Sequence, residues 1–221
     1  MKTISLINKK GGAGKTTITV NHAYALAQSC DLRVLVVDND DQGNATQFFD
    51  VHPERTIADV LTGTLPIRAA ISSTRYPAID LLPSDERLLD ANVTVIKDEN
   101  IVQQSILGNA LRSIDGEYDI CLIDNPPTIN ASVINALTAS DDVIIVTTPD
   151  LYGIRGVEQM ITYIKNSQPI GQGVHNGHSV EEIILPDVYD LVPNPKNAFY
   201  STDNIEELAA MIDLTQRIEP L

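Results

Sequence analysis

KTISLINKKGGAGKTTITVNHAYALAQS, residues 2–29, joins a β-prone run to a helix through a turn made largely of glycine and lysine. Lys2–Asn8 alternates as a strand does. Lys15–Ser29 carries Ile18, Ala23, Leu26 and Ala27 at helical spacing. Between them stands Lys10-Gly11-Gly12-Ala13-Gly14-Lys15-Thr16-Thr17. Glycines let successive backbone N–H groups turn inward toward one anion without Cβ clashes. A helix beginning near Lys15 adds the partial positive charge of its N-terminus. A strand before and a helix after are the context in which such a turn cradles phosphate. In that setting Lys15 would place an ammonium on β- and γ-phosphates, Thr16 would offer a hydroxyl to Mg²⁺, and Thr17 would bond the α-phosphate. The ordinary G-x-x-x-x-G-K-[ST] pattern is not met, because Lys9 stands at its first glycine; the form present is K-G-G-x-G-K-T-T.

The same alternation of strand and helix continues down the chain. Arg33–Asp38, Ile79–Pro83, Tyr118–Asp124 and Asp142–Thr148 read as strands, and Val180–Leu185 as a further one. The first, third and fourth of these are almost continuously apolar, as strands buried on both faces are. Helices are predicted within Asp41–Asp50, over Ile57–Leu61 and Ile67–Ile71, through most of Asp85–Arg112, and over Ala131–Ala139, Ile154–Asn166 and Asp203–Leu214. Ser167–Ser179 reads as a surface loop. The pattern predicts an α/β fold with a mainly parallel twisted sheet and helices on both faces. Ligands of such sheets bind at the carboxyl ends of the strands. The chemically interesting residues all follow strands: 9–17, 38–44, 124–127 and 147–151.

Composition narrows the function. The 221 residues, 43% of them hydrophobic, suit one domain with a sizeable core. No apolar run is long enough to span a bilayer, and the N-terminus lacks the pattern of a signal peptide, so a cytoplasmic protein is expected. Cys30 and Cys121 have no metal or redox spacing and read as small apolar residues. His22, His52, His175 and His178 show no ligand spacing either. The net charge is −15, which argues against constitutive nucleic-acid binding. Residues 1–30, however, hold no Asp or Glu and do hold Lys2, Lys9, Lys10 and Lys15, an opening suited to an anionic ligand.

NKKGGAGKTT resembles the loop of the ParA/MinD family of deviant Walker A ATPases, and its ParA (Soj-like) branch in particular. Val34–Thr46 (VLVVDNDDQGNAT) resembles the family's D-x-D-P-Q-G-N-A-T segment. Ile79–Ser84, Tyr118–Pro127 (YDICLIDNPP) and Ala139–Val157 agree with it in order and spacing. The resemblance covers residues 1–166 of a single domain, 1–221. It implies a SIMIBI-type P-loop NTPase fold, ATP/ADP and Mg²⁺ as cofactors, and slow ATP hydrolysis without an activator. Lys10 matches the signature lysine that reaches the partner's phosphates across a dimer. Gly11, Gly12, Ala13, Gly14, Lys15, Thr16 and Thr17 match the phosphate loop. Asp40 matches the carboxylate that orients or deprotonates water, and Asp124 the Walker B acid. Asp38 is a further candidate for the metal shell beside Thr16 and Asp124. Asp41 departs from the family, which usually has proline there; a carboxylate facing the γ-phosphate would repel the nucleotide unless it points outward.

Residues 167–221 diverge. Ser179–Asp190 falls on the family's next strand and Lys196-Asn197 loosely on its basic turn, while the last adenine-side strand and loop find no counterpart; a compact member and a shortened chain both remain open. The resemblance implies a homodimer on ATP binding, nonspecific DNA as partner, a ParB-like adaptor and nucleoid association in the ATP state. The acidic charge confines any DNA binding to low salt. The alternative is a ParA-like positioner of protein cargo or a MinD-like spatial regulator. Membrane attachment is not expected, since Asn204–Gln216 carries Glu206, Glu207 and Asp213 without lysine. A dethiobiotin-synthetase-like enzyme should lack DQGNAT. A nitrogenase-reductase-like protein needs cysteines in loops, and a tyrosine kinase a tyrosine-rich tail. An inactive adaptor should have lost Asp40 or Asp124.

Overall fold

The computed structural model describes residues 1–97 and 104–147, together with Val157 and Met160. Through them the chain runs β1 (Lys2–Ile7), α1 (Lys15–Ser29), β2 (Val34–Asp38), α2 (Asn44–Phe48), α3 (Ile57–Leu61), α4 (Ile67–Ala70), β3 (Ser72–Ser73) and β4 (Ile79–Leu82). It continues through α5 (Arg87–Lys97), α6 (Ile106–Arg112), β5 (Ile120–Asp124), α7 (Ala131–Ala139) and β6 (Asp142–Ile145). The strands form one sheet in the order β3-β4-β2-β5-β1-β6. Every neighbouring pair is parallel except β3 with β4.

Strand alternation builds two cores from one sheet. Val34 and Val36 of β2, with Ile120 and Leu122 of β5, lie under Val20, Ala23 and Leu26 of α1. Leu35, Val37, Cys121 and Ile123 face the other way, onto residues of α3 to α7. With helices on both faces neither strand has a wet side, so every residue of β2 and β5 is buried. Each such Val, Leu or Ile contributes about 1.5–3 kcal/mol by leaving water. Cys121 belongs to this core, and burial holds its thiol protonated.

The predicted strands and helices of residues 1–97 and 104–147 are present, with trimmed ends. Strand β1 stops at Ile7, because Asn8 turns its side chain to the carbonyl of Val146 at 2.5 Å. The same bond takes the Val146 carbonyl out of the ladder, so β6 stops at Ile145. Strand β2 starts at Val34, where the Arg33 N–H is held by the Asp119 carboxylate at 2.8 Å. Strand β3 is too short to leave a periodic signal. The helices read within 85–112 resolve into α5 and α6. Of the helix expected over Ile154–Asn166 only Val157 and Met160 are described, both helical and buried. The loop at 167–179, the strand at 180–185, the basic turn at Lys196-Asn197 and the helix at 203–214 lie outside the described residues.

Strands β1 and β5 are neighbours, yet they send their following helices to opposite faces. Helix α1 packs on one side and α7 on the other. The loops therefore part at the carboxyl ends of β1 and β5, which is where an open parallel sheet places its ligand crevice.

Candidate functional site

Residues 8–14 leave β1 and turn into α1 at that crevice. Gly12 and Gly14 have φ of 71° and 89°. A Cβ at either would meet nothing within 4 Å, so it is the left-handed backbone, and not lack of room, that calls for glycine. Gly14 is the N-cap of α1, with no side-chain cap and no acid in the first turn. The first helical bond runs from Ile18 N–H to the Gly14 carbonyl at 2.9 Å. The amides before it have no partner within the helix, an arrangement that can hold an anion. Gly11 and Thr17 are exposed, Ala13 is buried, and Lys10 is half-buried with its N–H donated to Asn8 Oδ1 at 2.9 Å.

Three sequence-predicted side chains meet directly behind the loop. Thr16 donates its hydroxyl to Asp124 Oδ2 at 2.6 Å. Lys15 is buried at the start of α1, where desolvation lowers its pKa against the opposing pull of Asp124 and Asp40. Asp124 ends β5 and is 1% exposed. Burial raises its carboxyl to about 7, the Thr16 hydrogen bond opposes that, and the charge of Asp38 adds to it. Asp38 ends β2 directly opposite Asp124 in the parallel register. It accepts from the Thr46 N–H at 2.8 Å, the Thr46 hydroxyl at 2.7 Å and the Asp40 N–H at 3.2 Å. Burial raises Asp38 to about 6, and the Thr46 bonds pull the other way.

Asp40 stands in a tight turn beyond β2. Its carbonyl accepts from Gly43 N–H at 3.0 Å and its carboxylate from Gln42 N–H at 3.1 Å. Asp41 binds the exposed Gln42 side chain at 2.7 Å, which holds its carboxylate at the surface. His22 is a buried residue of α1 with neither ring nitrogen hydrogen-bonded among the described residues; burial lowers its pKa to about 4, so it is a neutral core histidine.

Several residues that hold this site were not singled out by the sequence. Thr46 clasps Asp38 and accepts from Ser84 N–H at 3.0 Å, tying the β2 exit to the β4 exit. Asn8 joins the loop to β6 through its bonds with Lys10 N–H and the Val146 carbonyl. Asn39 and Asn125 bridge the exits of β2 and β5 at 2.8 Å. Asn8 and Thr46 sit inside the quoted motifs; the repeat of Asp-Asn at both strand ends was the available signal for the pair.

A glycine-turned amide cradle, a lysine and a threonine at the start of the first helix, and a buried aspartate on the adjacent parallel strand define an α/β P-loop protein. A family model described as an AAA domain matches residues 1–172. The chain is 34% identical over 167 residues to the sporulation initiation inhibitor protein Soj of Bacillus subtilis, covering 74% of this chain and 65% of Soj. It is 33% identical over 180 residues to a ParA family protein of Chlamydia muridarum, covering 80% of this chain and 68% of that protein. The fold superposes on cobyrinic acid a,c-diamide synthase of Mycobacterium smegmatis, solved with an ATP analogue and magnesium. The TM-score is 0.71 at 31% identity, over 77% of this chain and 67% of that one. The chain thus belongs to the ParA family. It spans 62% to 65% of the length of Soj and two Pseudomonas putida relatives.

Proposed function

We propose that this chain is a Mg²⁺-dependent, ATP-binding and ATP-hydrolysing dimerisation switch that serves DNA partition from the cytoplasm. The observation that carries the reading is the contact of Thr16 with buried Asp124 beneath an open amide cradle beside buried Lys15. The donor set fits magnesium, which takes a hydroxyl and outer carboxylates alongside phosphate oxygens. Thr16 would hold the ion, with Asp124 and Asp38 taking its water ligands; bound there, it neutralises phosphate charge. The amides of residues 11–16 and the Lys15 ammonium would hold β- and γ-phosphates, and Thr17 the α-phosphate. Asp40, fixed by its turn, would orient the attacking water. Lys10 would reach the phosphates of a second copy, making the dimer depend on ATP.

The relatives add the biological setting, since Soj and ParA-named proteins match over most of this chain. The ATP dimer would bind nonspecific DNA weakly at low salt and associate with the nucleoid, and a ParB-like adaptor would speed hydrolysis and release. Phosphate release with Mg²⁺ tests the enzymatic core. The wild type should turn over slowly, and Asp40→Ala and Lys15→Ala should each fall by about a hundredfold or more. Equal rates in all three chains would refute it.

A further inference from the structure

The two carboxylates of the site are cross-strand neighbours, and so are the two amides that follow them. Asp38 pairs with Asp124 in the β2–β5 register. Alternation turns both toward α1, where Thr16 meets Asp124. The residues just past the two strands are Asn39 and Asn125, which alternation would turn to the opposite side. Like charges directly opposite one another push their strands apart. On the other side Asn39 Nδ2 donates to Asn125 Oδ1 at 2.8 Å, and Asn39 N–H to the Asp124 carbonyl at 2.9 Å. Asn125 is anchored in turn, its Nδ2 donating to the Leu6 carbonyl at 3.1 Å and the Ile123 carbonyl at 3.2 Å. Both side chains are buried, at 0% and 1% exposure.

We infer that the Asn39–Asn125 bridge is a brace that sets the spacing of the Asp38–Asp40 and Asp124 loops, making both asparagines positioning residues for Mg²⁺–nucleotide. Stability alone does not explain the pair. Asn39 Oδ1 is buried and accepts no hydrogen bond from the described residues, a cost that an apolar pair would avoid. A hydrogen bond is directional and fixes a separation, whereas apolar side chains slide. With the bridge in place the two loops meet an incoming cation at a preset distance.

This inference rests on the proposed nucleotide site, and its test separates the two. Asn39→Leu, Asn125→Leu and the double variant are compared with wild type by urea unfolding, by calorimetry of ADP binding with and without Mg²⁺, and by phosphate release. Each single variant should lose stability, because it strands a buried polar atom of the other asparagine, Asn125 Oδ1 or Asn39 Nδ2. The double should regain part of that loss, the Asn125 bonds to the Leu6 and Ile123 carbonyls going with it. The double should bind ADP without Mg²⁺ as wild type does. Its Mg²⁺-dependent gain in ADP affinity should fall by about tenfold, and its phosphate release by at least that factor. If the Leu pair does not fold, the Ala pair, which adds no volume, carries the same readouts. A stable double variant with the full Mg²⁺ gain and full phosphate release would overturn the brace. A wild type that shows the Mg²⁺ gain and releases no phosphate counts against hydrolysis alone, with the brace judged on the Mg²⁺ gain. A wild type with no Mg²⁺ gain counts against both.

Discussion

Asp124 and Asp38 carry the electrostatic character of the site. Their carboxyls lie at about 7 and about 6, both raised chiefly by burial. A folded pKa above the unfolded one means stability that is present at low pH and lost as pH rises through the folded value. The ligand-free chain should therefore lose stability between pH 5 and pH 8. Asp124 should account for on the order of 2 kcal/mol of that loss. Urea midpoints at the two pH values measure it, and Asp124→Asn should flatten the difference; an unchanged slope in the variant would remove Asp124 as its source. Lys15, Thr16 and Asp124 were picked out by local chemistry, an ammonium and a hydroxyl after glycines and an acid ending an apolar strand, whereas Asp38 and Asp40 were picked out by the resemblance of Val34–Thr46 to a family segment. Asn39 and Asn125 were not, because their partnership spans 86 positions and exists only through the register of β2 with β5.

Among the elements, the turn between β2 and α2 is held by several short contacts. Gly43 has φ of 61°, and a Cβ there would stand 3.0 Å from the Ser84 carbonyl oxygen. Its N–H also closes the Asp40 turn. Gly43→Ala should cost about 1–3 kcal/mol in thermal or urea unfolding and slow phosphate release with it. Helix α3 offers the contrasting case. Thr56 caps it, with Asp59 returning a bond to the Thr56 N–H at 2.8 Å. Thr56→Ala should cost about 1 kcal/mol. Because α3 packs on the face away from α1, phosphate release at a temperature where the variant is folded should stay unchanged. Element identity was legible where a period ran for a full element, as in β1 and α1, or where a continuous apolar run marked a strand buried on both faces, as in β2. The ends were not, since Asn8 and Asp119 stop the ladders with side-chain bonds that periodicity does not carry.

At the scale of the molecule, the proposed function turns on charge and assembly. With a net charge of −15, the proposed DNA binding would need a local basic surface that a second copy completes. Co-sedimentation with DNA should succeed with ATP at about 50 mM salt, fail with ADP, and be lost by about 200 mM. The mainly parallel sheet with helices on both faces was legible as a whole, because helices on both sides leave no polar face on the inner strands. The order β3-β4-β2-β5-β1-β6 was not, because it depends on which strands pair rather than on what each contains. In the proposed switch, ATP makes the dimer and its hydrolysis releases it. Light scattering on Asp40→Ala, chosen to preserve bound ATP, tests it most directly. With Mg²⁺–ATP the mass should be twice the chain's 24.1 kDa, with Mg²⁺–ADP it should be a single chain, and Lys10→Ala added to Asp40→Ala should stay single in both. A mass that ignores the nucleotide, or a dimer that survives loss of Lys10, would rule out this switch.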